Sequence, residues 1–324
     1  MLLPIFTSDR QGMYEMAKRK GAKKGTETID PLLELEKIKR LGIIAMFSDD
    51  YLMERLALKG GNAIDLVYRA PCRASVDLDF SMESEFGEEE LNGIKETIER
   101  ALKTTFRSEG YEAFDIIFSI RPPELSPEIA GFWGGYRIEF KLIKSDAYEK
   151  FSDDLRNLRL HAVEVNLPLN KKKVFRIDIS KYEYCIPKQR HVLDYYTIYV
   201  YTPEMIVIEK LRAICQQMTE YAKMVKSPSR CARARDFFDI YMIIDHFKID
   251  LTAEKNVELI KNIFSAKRVP LTLIGKIGDY REYHRPDFEA VKATVGSGMA
   301  LKDFDFYFDY VLEVIRDLKT LWEI

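Results

Sequence analysis

The chain is poor in the residues on which many enzymes build their chemistry. It holds four cysteines and four histidines in 324 residues. Cys72, Cys185, Cys215 and Cys231 are scattered, with no C-x-x-C pair and no histidine at metal-ligand spacing. That argues against a zinc site and a disulfide framework, and fits a reducing, cytoplasmic setting. No stretch approaches the ~18 apolar residues of a membrane span, and the opening MLLPIFTSDRQG is too short and too lightly flanked for a signal peptide. An excess of either charge is also missing, since 50 basic residues meet 52 acidic ones for a net charge of −2.

What is present is an ordinary globular composition, 47% apolar and 31% charged, with length enough for about two domains of ~150 residues. Basic runs stand out locally at KRKGAKK (18–24), NKKKVFR and RCARAR. Such runs are usually solvated faces, and they permit a polyanionic partner without requiring one.

Periodicity divides the chain. Asp30-Pro31 reads as an N-cap followed by proline at the first helical position, opening a helical stretch that runs to the glycines at 60–61 with a break near Ser48. A short helix NAIDLVY, a strand VDLDFSM and an amphipathic helix ended by Gly110 follow. Alternating runs FDIIFSI, YRIEFKLI, KVFRIDIS and YTIYVYT predict a mixed sheet, interrupted by a helix over DAYEKFSDDLRNLRL. From PEMIVIEKLRAIC onward helical periods dominate. The expected organisation is a basic arm or helix over 1–29, a sheet-bearing domain over 30–202 and a helical domain over 203–324, an α+β fold.

The chemistry gathers in one stretch, LKGGNAIDLVYRAPCRASVDLDF (58–80). On a strand, residues i and i+2 share a face, so Asp77 and Asp79 project together while Val76, Leu78 and Phe80 pack behind them. Two bare carboxylates there repel and are costly to bury. A divalent cation removes that cost, because Mg²⁺ takes carboxylate oxygens and completes its octahedron with water and phosphate oxygens. An isolated D-x-D is as readily a solvated sheet edge. The Gly-Gly that precedes this one opens a short helix, where backbone N–H groups can cradle phosphate. Asp178, on the same face as Arg176 in FRIDIS, and Glu139, beside Arg137 in YRIEFKL, are further carboxylates on alternating strands.

These residues resemble a known family, the DNA polymerase β-like nucleotidyltransferases, and within it the AbiEii/AbiGii-type toxins that include the MenT-like enzymes. The family pattern KGGTAL…Y…R-x-S-x-DLDF is matched by Lys59-Gly60-Gly61-Asn62-Ala63-Ile64, Tyr68, Arg73, Ser75 and Asp77-Leu78-Asp79-Phe80. An EKLRAL motif is matched by Glu209 to Ile214, and an RDFYDL motif by Arg235 to Ile240. Asn62 departs from the usual threonine, and the resemblance covers roughly 56–245.

The resemblance implies a nucleotidyltransferase that uses an NTP and Mg²⁺ or Mn²⁺. It implies Asp77 and Asp79 as metal ligands with a third carboxylate from a later strand, Asp178 as first candidate and Glu139 as runner-up, and Gly60, Gly61, Asn62, Arg73, Ser75 and Lys210 around the nucleotide. Lys210 would reach the triphosphate. Asp236 would orient Lys210 or help a substrate hydroxyl lose its proton, and Asp239 would support it. Analogy with the family further implies a toxin of a toxin–antitoxin or phage-defence pair, with an antitoxin partner and RNA, chiefly the tRNA acceptor end, as recipient. A protein or small-molecule acceptor keeps the same chemistry, and a non-catalytic binding module on a degenerate fold is the reading of another class.

Overall fold

The computed structural model describes residues 30–167, 170–225, 230–295 and 300–323. The basic run at 18–24 therefore lies outside the described residues. The predicted start is as expected: Asp30 caps the helix α1 (Pro31–Phe47), its carboxylate accepting from Leu32 N at 2.9 Å. A second short helix, α2 (Asp50–Arg55), follows, capped by Asp49.

Seven strands form one mixed sheet. They are β1 (Ala57–Lys59), β2 (Leu78–Ser81), β3 (Tyr111–Arg121), β4 (Gly135–Lys144), β5 (Phe175–Ser180), β6 (Gln189–Leu193) and β7 (Tyr196–Val200), in the spatial order β3-β4-β5-β2-β1-β7-β6. The central pair β2/β5 is parallel, and β1/β2 and β4/β5 are antiparallel. Periodicity had assigned residues 57–59 to a helix. Ala57, Leu58 and Lys59 are instead buried strand residues, a run too short for helical and extended patterns to differ.

Alternation gives the sheet two unlike faces. Leu78, Phe80, Ile138, Phe140, Ile177 and Ile179 are buried on one of them. Helices α1 and α3 (Leu91–Arg107) cover that face: Phe47 meets Phe80 at 5.8 Å between ring centroids, and Phe106 meets Phe140 at 5.6 Å. Gly42 allows the approach of α1, since a Cβ there would stand 2.7 Å from Leu78 Cδ1. Each large side chain so buried contributes about 1.5–3 kcal/mol. The seam is what fixes the register of β2, because a slip by one residue would turn Leu78 and Phe80 outward.

After the sheet in the chain come α4 (Pro203–Cys215), α5 (Ala234–Phe247), α6 (Glu254–Ala266) and α7 (Phe304–Arg316). Helix α5 packs on α4 and α7, and α6 packs on α4. One contiguous cluster of buried apolar side chains runs through the sheet and these helices. The helix expected over 146–160 is two, Ser145–Phe151 and Leu155–Leu160, because Asp154 caps the second through Asn157 N at 3.0 Å.

Candidate active site

The polar face of the sheet carries a cross-strand ladder. Lys59 pairs in register with Asp79, Asp79 with Asp178, and Asp178 with Arg137. Two carboxylates thus stand side by side between a lysine and an arginine. Asp77 lies one residue before β2 rather than within it, in a bend, yet its charge still acts on Asp79 and Arg137. Burial pushes the Asp79 carboxyl up to about 7, Lys59 opposes the rise, and Asp178, Glu209 and Asp77 add to it. No hydrogen bond among the described residues offsets that cost.

Asp178 is held differently. Arg137 donates to both of its oxygens, Nε to Oδ1 at 2.7 Å and Nη2 to Oδ2 at 3.1 Å. Glu139, the runner-up third carboxylate, accepts instead from Arg176 Nε at 2.9 Å. The alternation of FRIDIS is confirmed, with Phe175, Ile177 and Ile179 buried and Arg176 and Asp178 on the other face. The guanidinium partners are crossed between strands, which spacing within one strand could not show.

The Gly-Gly turn leans directly on this ladder. Gly60 adopts φ +71°, and a Cβ there would stand 2.9 Å from Asp79 Oδ2, so glycine serves both conformation and close approach. A Cβ on Gly61 would meet Ser75 Cβ at 3.1 Å. The chain then winds as one short turn, Gly60–Asn62, into a wider π turn, Ala63–Val67. Asn62 is buried and donates through Nδ2 to the Asp77 carbonyl at 2.7 Å, which fastens the turn to the residue that begins the acidic pair. Tyr68 of the same motif donates to the Tyr201 carbonyl at 2.9 Å.

A second cluster faces the other side of the turn. Lys210 on α4 reaches Asp239 at 2.6 Å and Asp236 at 3.2 Å, both on α5. Arg73 also meets Asp239, at 3.2 Å, and Arg233 meets Asp236 at 3.3 Å. Burial works against charge on Lys210, but Asp239 and Asp236 outweigh it and hold the ammonium above the ordinary lysine range. Burial likewise opposes ionisation of Asp236, yet Lys210, Arg233 and Arg73 keep its carboxyl below the usual value. A cavity of about 10 Å³, room for one water, lies between Gly61, Cys72, Arg73, Lys210 and Asp239. The structure therefore joins Gly61, Arg73, Lys210 and Asp239 around one small space, with Asp77, Asp79 and Asp178 on the other side of the same turn.

Sequence reasoning assigned no part to a third group. Lys59 contacts Ser180 Oγ at 3.1 Å and pairs with Glu209, the residue before Lys210. Glu183, buried behind them, accepts from Arg212 at 2.6 and 3.2 Å and faces Lys267 at 3.5 Å and Lys59 at 3.9 Å. Burial disfavours its charge, but Arg212, Lys267 and Lys59 together hold the carboxyl down at about 2. The signal available in sequence was Glu209 and Arg212 one turn apart on an otherwise apolar helix face. Histidine 284, fully buried, accepts from Arg233 N at 3.0 Å through Nδ1 and is pushed down to about 4 by burial. Its ring packs against Phe237, 5.2 Å between centroids, within reach of the Asp236 charge.

Carboxylates on two neighbouring strands, a glycine turn against them and a buried lysine held by two helix aspartates thus lie together in one region. Residues 43–310 match the family model described as nucleotidyl transferase AbiEii toxin, Type IV TA system. The chain belongs to that family of toxins, and it is a nucleotidyltransferase of the transferase class. Among solved structures it is similar to a provisionally assigned nucleotidyltransferase from H. pylori (16% identity, 91% of this chain and 96% of that one, TM-score 0.45). It is also similar to JHP933 from Helicobacter pylori (15%, 91% and 93%, TM-score 0.44) and an antigenic nucleotidyltransferase-like protein from Paracoccidioides brasiliensis (12%, 81% and 94%, TM-score 0.34). Likeness at these scores carries no argument about the site. No curated protein matches the chain. No described helix is long and apolar enough to cross a membrane.

Proposed function

We propose that the chain moves a nucleoside monophosphate from an NTP to a hydroxyl of RNA, with the tRNA acceptor end as the first candidate, using Mg²⁺ or Mn²⁺ bound at Asp77 and Asp79. The carrying observation is Asp79, whose carboxylate is crowded by Asp178, Glu209 and Asp77 and gains no hydrogen bond among the described residues. A chain has little physical reason to hold such a group unless a cation compensates it. No three described carboxylates, thiols or imidazoles form a ready-made metal cage, and Asp178 is paired with Arg137. The pair at 77 and 79, completed by water and phosphate oxygens, matches what Mg²⁺ accepts. When bound, such an ion supplies charge stabilisation at the α-phosphate and the departing pyrophosphate.

The chain's own residues do the positioning. Gly60 and Gly61 let the turn close directly on Asp79 and Ser75, and Asn62 fixes the turn through the Asp77 carbonyl. Lys210, kept charged by Asp236 and Asp239, faces Gly61 across the small cavity and is placed to meet the triphosphate together with Arg73. The acceptor oxygen attacks the α-phosphorus and the bond to the bridging oxygen breaks. Pyrophosphate leaves, and the hydroxyl proton passes to a carboxylate of the strand ladder. We assign this chemistry to residues 30–202, with 203–324 supplying Lys210, Asp236 and Asp239.

The family is one of toxins paired with an antitoxin, which favours an acceptor whose modification stops growth. Exposed Arg230 and Arg235 near the α5 start offer phosphate contacts. The test is incubation of the full chain with Mg²⁺, each labelled NTP in turn and total RNA, with Asp79→Ala alongside. Label entering RNA in the wild type alone is the expected result. Label found in protein or in a small molecule would move the acceptor to that class, and label retained by the variant would defeat the site assignment. If nucleotide binding and thermal stability ignore Mg²⁺, the non-catalytic reading takes over.

A further inference from the structure

The ladder on the polar face has a direction. Gly60, Gly61 and the Lys210 cluster lie at the β1 side, Asp79 and Asp178 are central, and Arg137 on β4 is at the far side. If the nucleotide occupies the β1 side, the second substrate has to approach from the β4 side. There Arg137 is the charged end of the ladder, with Ser119 of β3 in register beyond it.

Arg137 is well suited to exchange partners. Its planar fork takes both oxygens of Asp178, and the same fork matches two oxygens of a phosphate. Arg137 and Asp178 are 31% and 32% exposed, so either can leave without stranding a charge in the interior, and a pair this open is worth little net. The neighbouring Arg176–Glu139 pair, one step along the same two strands, is 35% and 23% exposed and touches none of the assigned carboxylates. It is a built-in control.

We infer that Arg137 is a positioning residue on the acceptor side: it keeps Asp178 out of the metal site in the free protein, and it leaves Asp178 for an acceptor phosphate when a divalent cation claims that carboxylate. This rests on the reading of Asp178 as a metal ligand given above. In consequence the third carboxylate becomes available only when a phosphate draws the guanidinium away, so cation and acceptor assist one another.

The test titrates Mn²⁺ into the metal-stripped full chain and follows the free-ion electron paramagnetic resonance signal. Wild type, Arg137→Gln and Arg176→Gln are compared, with thermal melting to confirm folding. Arg137→Gln should bind Mn²⁺ about fivefold more tightly than wild type, the upper range for releasing an exposed pair, and Arg176→Gln should stay near wild type. In the labelled-nucleotide assay, Arg137→Gln should need more total RNA for half-maximal labelling at an unchanged KM for the nucleotide. A merely structural arginine would not move these two readouts in opposite directions. Mn²⁺ affinity unchanged or weakened in Arg137→Gln, or an unchanged RNA dependence, would overturn the inference alone. Binding of Mn²⁺ by none of the proteins would overturn the metal reading and this inference with it.

Discussion

Asp79→Asn should make the protein more stable while abolishing transfer. A carboxyl held at about 7 instead of the ordinary 3.8 carries about 4 kcal/mol of cost when ionised, at about 1.36 kcal/mol per pH unit. Asparagine has nearly the same shape and no charge, so it removes the cost. The sign follows from linkage. The folded state binds this proton more tightly than the unfolded one, so Asp79 lowers stability progressively as pH rises from about 4 to about 7, and the loss is complete above that.

The gain from Asp79→Asn should therefore be about 2–4 kcal/mol at pH 8 and about 1 kcal/mol at pH 5. Urea unfolding in the presence of chelator, with both proteins at both pH values, measures it. Mg²⁺ added at pH 8 should raise the midpoint of the wild type and leave the variant unmoved. A variant as stable as the wild type at pH 8, or less stable, would show that the carboxylate is not under electrostatic load and would remove the main support for a cation there.

Three further substitutions test the surroundings. Lys210→Met leaves Asp236 and Asp239 buried with only Arg233 and Arg73, and should cost about 3 kcal/mol in urea unfolding; adding Asp239→Asn should recover at least about 1 kcal/mol, the coupling expected of residues in contact. Gly60→Ala, at φ +71° and with its Cβ 2.9 Å from Asp79 Oδ2, should lose about 1–2 kcal/mol and most nucleotide transfer, read by melting and by the labelled-NTP assay. Glu183→Gln leaves Arg212 with Glu209 alone and takes the carboxylate from Lys267, and should cost about 3–5 kcal/mol. Because Glu183 is held at about 2 rather than 4.5, its share of wild-type stability is present above pH 4.5 and is lost as pH falls toward 2, so the variant's acid limb should be shallower when denaturation is followed from pH 5 downward.

The acidic pair, the glycines and the lysine helix were legible in sequence because each is a local pattern with a local reason. Asp178 was legible as a face, through the alternation of Phe175, Ile177 and Ile179, but not as a partner of Arg137, which sits on another strand 41 residues away. Which arginine meets which acid depends on register, and register is set by the apolar seam under α1 rather than by the charged residues. Strand β1 was misread because three buried residues carry no period. Glu183, Arg212 and Lys267 escaped notice for a different reason: buried charges are recognisable only once burial is known, and on sequence each reads as solvated.

The Glu183 group also bears on how this chain could change over evolutionary time. Its acid follows β5, while Arg212 and Lys267 come from α4 and the end of α6, on either side of the division that composition suggests near residue 202. Exchanging the helical half with that of a relative would take Arg212 and Lys267 from Glu183, and Glu209 from Lys59, unless both sides were replaced together. The two halves are then inherited as a matched set, and a recombination junction at 202 would be tolerated only between relatives that carry the same buried ions.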